Sequence, residues 1–338
     1  MAAGGADTDA LGVHAPSMTP VARSDATTGS QVSAAVTQLR PRSGSQRRAK
    51  KPASGVRRAT RRRPRTAFVF SGGASLGALQ VGMVRALFER GITADLLVGT
   101  SVGALNAAFI ASRPQTPATA RQLTRAWYEI KRADAFPLSL RTVVGGLAGS
   151  RDHLVPARGL RQIVERHIQL RCLTDAPIPL HLVAFDIKSG RETLLSEGRA
   201  CDAVMASCSI PGIFPPVAIG DQLLIDGGVV NNTPISHAVE LGAERIYVLP
   251  TQGQSPAHPN PQRTAIEVAM YGISLLVGSR LQGDIARYGG GVELIVLPVA
   301  NSRQVQPTDF SHSIRLLKES HAACREALVR VDTLAAAA

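Results

Sequence analysis

Apolar and polar positions begin to follow a regular pattern near Thr66, after a stretch without one. Ala67-Phe68-Val69-Phe70 is a continuous apolar run closed by Ser71-Gly72-Gly73, as expected of a strand buried on both faces. From Gly77 to Arg90 the apolar residues Leu79, Met83, Val84, Leu87 and Phe88 recur at helical spacing, and Gly91 follows as a helix-ending residue. Leu96-Leu97-Val98 predicts a second strand and Ala104 to Ile110 a second helix. Strand, helix, strand, helix at this spacing predicts a right-handed βαβ unit and a parallel sheet. Helices are expected at Ala118 to Ile130 and Arg158 to Ile168, separated by an apolar, glycine-rich piece from Leu138 to Gly149. Further strands are expected at Leu180 to Ile187, Leu223 to Ile225, Arg245 to Leu249 and Glu293 to Leu297. Long helices are expected from Thr264 to about Tyr288 and from His312 to Val331. The expected fold class is α/β: three layers, α/β/α, around a mainly parallel central sheet.

The uncharged run Leu96 to Ser112 approaches the length of a membrane span. Thr100, Ser101, Asn106 and two glycines lie near its middle, so a buried strand, a tight turn and a buried helix explain it better. No signal-peptide core precedes it.

Charge changes the picture only at one end. The 338 residues carry a formal net charge of +13. Twelve cations lie between Arg40 and Arg65 with no acidic residue among them, so the rest is close to neutral. Residues 1–65, rich in Ala, Ser, Thr, Arg and Pro, read as a disordered basic tail, and 66–338 as the folded domain. Such a tail reads by default as a solvated arm; the sharper reading is peripheral attraction to an anionic membrane surface, at on the order of 1 kcal/mol per nearby cation. It lacks the interleaved aromatics of a nucleic-acid binder, and no specific nucleic-acid partner is expected. Cys172, Cys201, Cys208 and Cys324 lack metal or redox spacing, which suits a reducing, cytoplasmic setting. No metal or cofactor is expected.

Three segments carry candidate chemistry. Gly99-Thr100-Ser101-Val102-Gly103 is G-x-S-x-G between a predicted strand and a predicted helix. A sharp turn there exposes the Ser101 hydroxyl, the glycines at 99 and 103 relieve crowding, and the helix N-terminus favours a developing oxyanion. Ser71-Gly72-Gly73-Ala74-Ser75-Leu76-Gly77 is a glycine-rich loop after the first strand. In a parallel sheet it should lie beside Ser101, where the N–H groups of Gly72, Gly73 and Ala74 are candidates for an oxyanion hole. Asp226-Gly227-Gly228 ends a strand on a tight turn and offers a carboxylate as proton acceptor. Taken singly, the three also read as a turn serine, a phosphate-type loop and a hairpin aspartate.

Together, and in this order, they resemble the patatin-like phospholipase family. Ala206-Ser207-Cys208-Ser209-Ile210-Pro211-Gly212-Ile213-Phe214-Pro215-Pro216 and Asn231-Asn232-Thr233-Pro234 add to the likeness, which spans about Thr66 to Val331. The resemblance implies a lipid acyl hydrolase acting on phospholipids, lysophospholipids or acylglycerols, with Ser101 and Asp226 as a dyad. The family's loop usually reads G-G-G-x-[KR]-G; here Ala74 and Leu76 stand at the third glycine and the cation. An oxyanion hole of backbone groups survives that change, whereas a preference for anionic phospholipids loses support. Two other readings compete: a catalytically silent lipid-binding or scaffold protein, and a Ser-His-Asp esterase using His237, His258, His312 or His321.

Overall fold

The computed structural model describes residues 37–39, 63–136, 152–252, 279–300 and 305–336. All of them lie within one compact unit, Ser33–Ala338. The expected apolar piece 138–149 and the first part of the expected helix 264–288 lie outside the described residues; residues 279–288 are helical.

The sheet contains β1 (Thr37–Leu39), β2 (Thr66–Phe70), β3 (Leu96–Thr100), β4 (Leu180–Asp186), β5 (Arg191–Leu195), β6 (Val217–Ile219), β7 (Gln222–Asp226), β8 (Arg245–Leu249) and β9 (Glu293–Val296). Their order is β1-β9-β8-β2-β3-β4-β7-β6, with β5 also paired to β4. The five strands from β9 to β4 run parallel. The additions at either side are antiparallel.

Alternate residues of the central strands enter two separate cores. Phe68, Phe70, Leu97, Leu182, Tyr247 and Ile295 face one. Ala67, Val69, Leu96, Val98, Val183, Ile246 and Leu294 face the other. Burial of both faces is why these strands read as continuous apolar runs rather than as alternating ones. On the first face pack α1 (Gly77–Glu89), α2 (Val102–Ala111), α3 (Pro117–Glu129), α5 (Arg158–His167), α6 (Ala200–Ser207) and the long C-terminal α10 (Ser313–Ala336). The short α4 (Arg132–Ala135) follows α3. The short α7 (Gly228–Asn231) follows β7; on the second face lie α8 (Ile235–Glu240) and α9 (residues 279–288), the latter through Leu281 and Ile285. The three-layer α/β/α architecture with a mainly parallel sheet is therefore the observed fold.

Two details differ from the sequence expectation. Thr37–Leu39, inside the segment read as tail, pairs with β9. Arg63 and Arg65, counted among its cations, are bound back to the body. Arg63 pairs with Asp95 at 2.9 Å, and Arg65 donates to the Leu241 carbonyl at 2.8 Å and, from its backbone, to Glu244 at 3.1 Å. Among the described residues no helix is long and apolar enough to cross a membrane.

Candidate active site

The topology itself brings the two dyad candidates together. Leu182 to Asp186 of β4 pair with β5 along one edge. Strands β3 and β7 must therefore share the opposite edge. Strand β3 pairs with β4 as far as Thr100 opposite Val183. Strand β7, running the other way, takes over at the next position with Asp226 opposite Ala184. Ser101 and Asp226 sit where the two strands abut, and both are buried.

At that junction the backbone is strained. Ser101 has φ 56° and Ala74 φ 49°, the two non-glycine residues with positive φ among the described residues. Such conformations persist only when the surroundings over-determine them, and they cluster at functional sites. The turn at Ser101 leads straight into α2. It is tight enough that a Cβ on Gly99 would stand 2.6 Å from the Gly103 carbonyl oxygen, and one on Gly103 would overlap the carbonyl of Phe70. Both glycines expected at this elbow are therefore needed for close approach.

Asp226 accepts a hydrogen bond from the Gly228 N–H at 2.7 Å, and the Ser101 hydroxyl lies near enough to lower its pKa. Burial raises its pKa from 3.8 to about 6, with the Ser101 hydroxyl and the Gly228 N–H pulling the other way. A carboxylate at that value is a far better proton acceptor near neutrality than an ordinary aspartate.

The glycine loop lies against the serine, as expected of neighbouring parallel strands. A Cβ on Gly72 would stand 3.1 Å from the Ser101 Cβ. The three expected oxyanion donors do not behave alike. The Gly72 N–H donates to the Asn232 backbone carbonyl at 3.0 Å and is committed there. Its contribution is the space it leaves. The N–H groups of Gly73 and Ala74 have no acceptor among the described residues. Leu76, at the position of the family's cation, is buried in the helical core.

Several residues that build the site were not singled out from the sequence. Thr251 at the end of β8 donates from its hydroxyl to the Gly72 carbonyl and from its N–H to Ser71 Oγ at 2.9 Å. Gln80 donates to the Ser71 carbonyl at 2.7 Å, Asn106 donates to Gln80 Oε1 at 2.8 Å, and the Trp127 indole donates to Asn106 Oδ1 at 2.9 Å. This buried chain fixes the loop from α1, α2 and α3. The Thr100 hydroxyl donates to the Asn231 carbonyl at 2.8 Å, tying the elbow to the segment after Asp226. The available signal was a polar residue inside an apolar helix, Gln80 or Asn106; the partners were not deducible.

None of the described histidines hydrogen-bonds to Ser101. His237 Nε2 lies 2.6 Å from Glu192, His321 Nε2 2.7 Å from Glu89, and His312 Nε2 3.6 Å from Asp309. His258 lies outside the described residues. Among the described residues no cluster of three or more His, Cys, Asp or Glu is placed to hold a metal ion.

The three-layer α/β fold thus places a strained serine turn, a glycine loop and a buried aspartate side by side. The family model of patatin-like phospholipase matches residues 68–239, and the chain belongs to that family. It is 28% identical over 228 residues to mouse patatin-like phospholipase domain-containing protein 7, a match covering 66% of this chain and 14% of the mouse protein. It is 27% identical over 181 residues to Lysophospholipase NTE1 of Mycosarcoma maydis, covering 54% of this chain and 9% of that protein. Among solved structures, human GIVD cytosolic phospholipase A2 aligns with a TM-score of 0.41 and 10% identity, over 79% of this chain and 59% of that one. The chain thus spans a small part of the length of these curated relatives.

Proposed function

We propose that this protein is a lipid acyl hydrolase cleaving carboxylic esters through a Ser101–Asp226 dyad. The observation that carries the reading is the register that sets Ser101 beside a buried Asp226, whose pKa burial raises to about 6. Asp226 takes the proton as Ser101 Oγ attacks the ester carbonyl, forming the tetrahedral intermediate. The oxyanion is received by the N–H groups of Gly73 and Ala74, assisted by the N-terminus of α2. Collapse expels the alcohol, which takes the proton back from Asp226, and leaves an acyl group on Ser101. Water, deprotonated by the same carboxylate, then releases the fatty acid. No histidine takes part.

Phospholipids, lysophospholipids and acylglycerols are the substrate classes that family membership supports. With Leu76 buried in place of a cation, the loop offers no side-chain charge to a headgroup phosphate. Neutral acylglycerols and simple esters are accordingly favoured over anionic phospholipids. The cations of the basic segment other than Arg63 and Arg65 would draw the enzyme to anionic membrane surfaces.

The test is hydrolysis of a panel containing phosphatidylcholine, phosphatidylserine, lysophosphatidylcholine and monoacylglycerol, with folded Ser101→Ala as control. Fatty acid release by the wild type alone is expected. No release from any lipid or from a soluble chromogenic ester would leave a lipid-binding scaffold instead.

A further inference from the structure

The segment Ala206-Ser207-Cys208-Ser209 supplies no group to the reaction above, yet it touches both members of the dyad. Ser207 is the last residue of α6 and is fully buried. Its hydroxyl accepts a hydrogen bond from the Ser101 N–H at 3.0 Å and donates to the Val183 carbonyl at 2.6 Å. Two residues on, the Ser209 carbonyl accepts from the Asp226 N–H at 2.9 Å. The Ser209 hydroxyl is itself tied to the Met205 carbonyl at 2.8 Å, which braces the turn.

The position of Ser207 answers a specific physical need. Strand β3 leaves β4 at Thr100, opposite Val183. The turn of Ser101 into positive φ carries its N–H away from the ladder, in a place where an unpaired donor would be buried. The Ser207 hydroxyl fills that gap as a relay, N–H to hydroxyl oxygen and hydroxyl hydrogen to carbonyl. We propose that Ser207 is a positioning residue: its hydroxyl holds Ser101 in the elbow geometry and, with the Ser209 carbonyl, fixes the separation of the nucleophile from Asp226. This rests on the Ser101–Asp226 reading and extends it.

The experiment compares full-length Ser207→Ala, Ser207→Cys, Ser101→Ala and Ser320→Ala on a soluble chromogenic ester, with kcat, KM, Tm and the pH profile for each. Ser320 is the control. It is equally buried, and its hydroxyl donates to the Leu79 carbonyl at 2.8 Å and makes no hydrogen bond to either dyad residue. Ser207→Ala is expected to lower kcat by about ten- to a hundredfold, the range for stranding buried hydrogen-bonding groups, with KM within about twofold. Ser207→Cys, with a weaker acceptor, should fall between it and the wild type. The Ser101 hydroxyl holds the Asp226 pKa down, so loosening its placement should also move the acid limb of the pH profile upward. Ser320→Ala should lose Tm and keep kcat.

Equal kcat values for Ser207→Ala and Ser320→Ala at a similar loss of Tm would overturn the proposal, as would a loss carried by KM. If Ser207→Ala fails to fold, the Ser207→Cys protein decides on the same criteria. Full turnover by Ser101→Ala would overturn the dyad itself, and the role of Ser207 with it.

Discussion

Replacing Asp226 by asparagine should inactivate the protein and, above neutral pH, stabilise it. The reason lies in the burial that tunes the carboxylate. An aspartate moved from 3.8 to about 6 costs on the order of 3 kcal/mol to ionise in the folded state. The sign follows from proton binding. Between about pH 4 and pH 6 the folded protein keeps a proton that the unfolded chain has released, so stability from this group falls as pH rises across that window. Above it the penalty is complete; below it both states are protonated and the penalty is absent. Asparagine is neutral throughout and can still accept the Gly228 N–H with its side-chain oxygen. The stability gained by Asp226→Asn should therefore grow from near zero at about pH 4 to as much as about 3 kcal/mol at about pH 8, or roughly 5–10 °C in Tm. Thermal unfolding of both proteins across that range measures it. A difference that is flat with pH, or a variant less stable than wild type at pH 8, would refute the argument that Asp226 is a desolvated base.

The same carboxylate must be ionised to accept a proton, so kcat/KM on a soluble ester should rise with pH through a midpoint near 6, with a slope of one; a midpoint near 4 would place the base in water. Single alanine substitutions of His237, His258, His312 and His321 should leave the rate within roughly tenfold, about 1.4 kcal/mol of barrier, and a histidine variant as inactive as Ser101→Ala would make the enzyme a triad hydrolase. Removing residues 1–62 should preserve activity on a soluble ester, whereas removal through Arg65 should lower Tm further, because Arg65 binds Leu241 and Glu244 and Arg63 binds Asp95; equal Tm for the two truncations would show those contacts to be idle.

What was legible in the sequence is what local pattern encodes. The doubly buried strands β2, β3, β8 and β9 announce themselves as short apolar runs because helices cover both faces. The elbow at Ser101 is legible because strand, glycine, serine, glycine and helix are contiguous. Strand β5 was missed: Arg191 and Glu192 occupy a partly exposed hairpin whose pairing with β4 satisfies the backbone regardless of hydropathy. Strand β1 has three residues, too few to show a period. The meeting of β3 and β7 along one edge of β4 is a property of register, and no segment encodes it alone. The same holds for the groups that lock the site. Ser207 acts on Ser101 across 106 residues, and Thr251 on Gly72 across 179. The Gly72 N–H looked free in the loop because its acceptor, the Asn232 carbonyl, comes from the far side of the sequence.

The central claim is that Ser101 and Asp226 act as one unit. It is tested most directly by the hydrolysis rate of one soluble ester by Ser101→Ala, Asp226→Asn and the double variant, each confirmed to be folded. Residues that act as a unit lose their effect together, so each single variant should fall to nearly the same residual rate and the double variant no further. If Asp226→Asn retains turnover close to the wild type while Ser101→Ala is inactive, or if the losses of the two single variants multiply in the double, the dyad is contradicted.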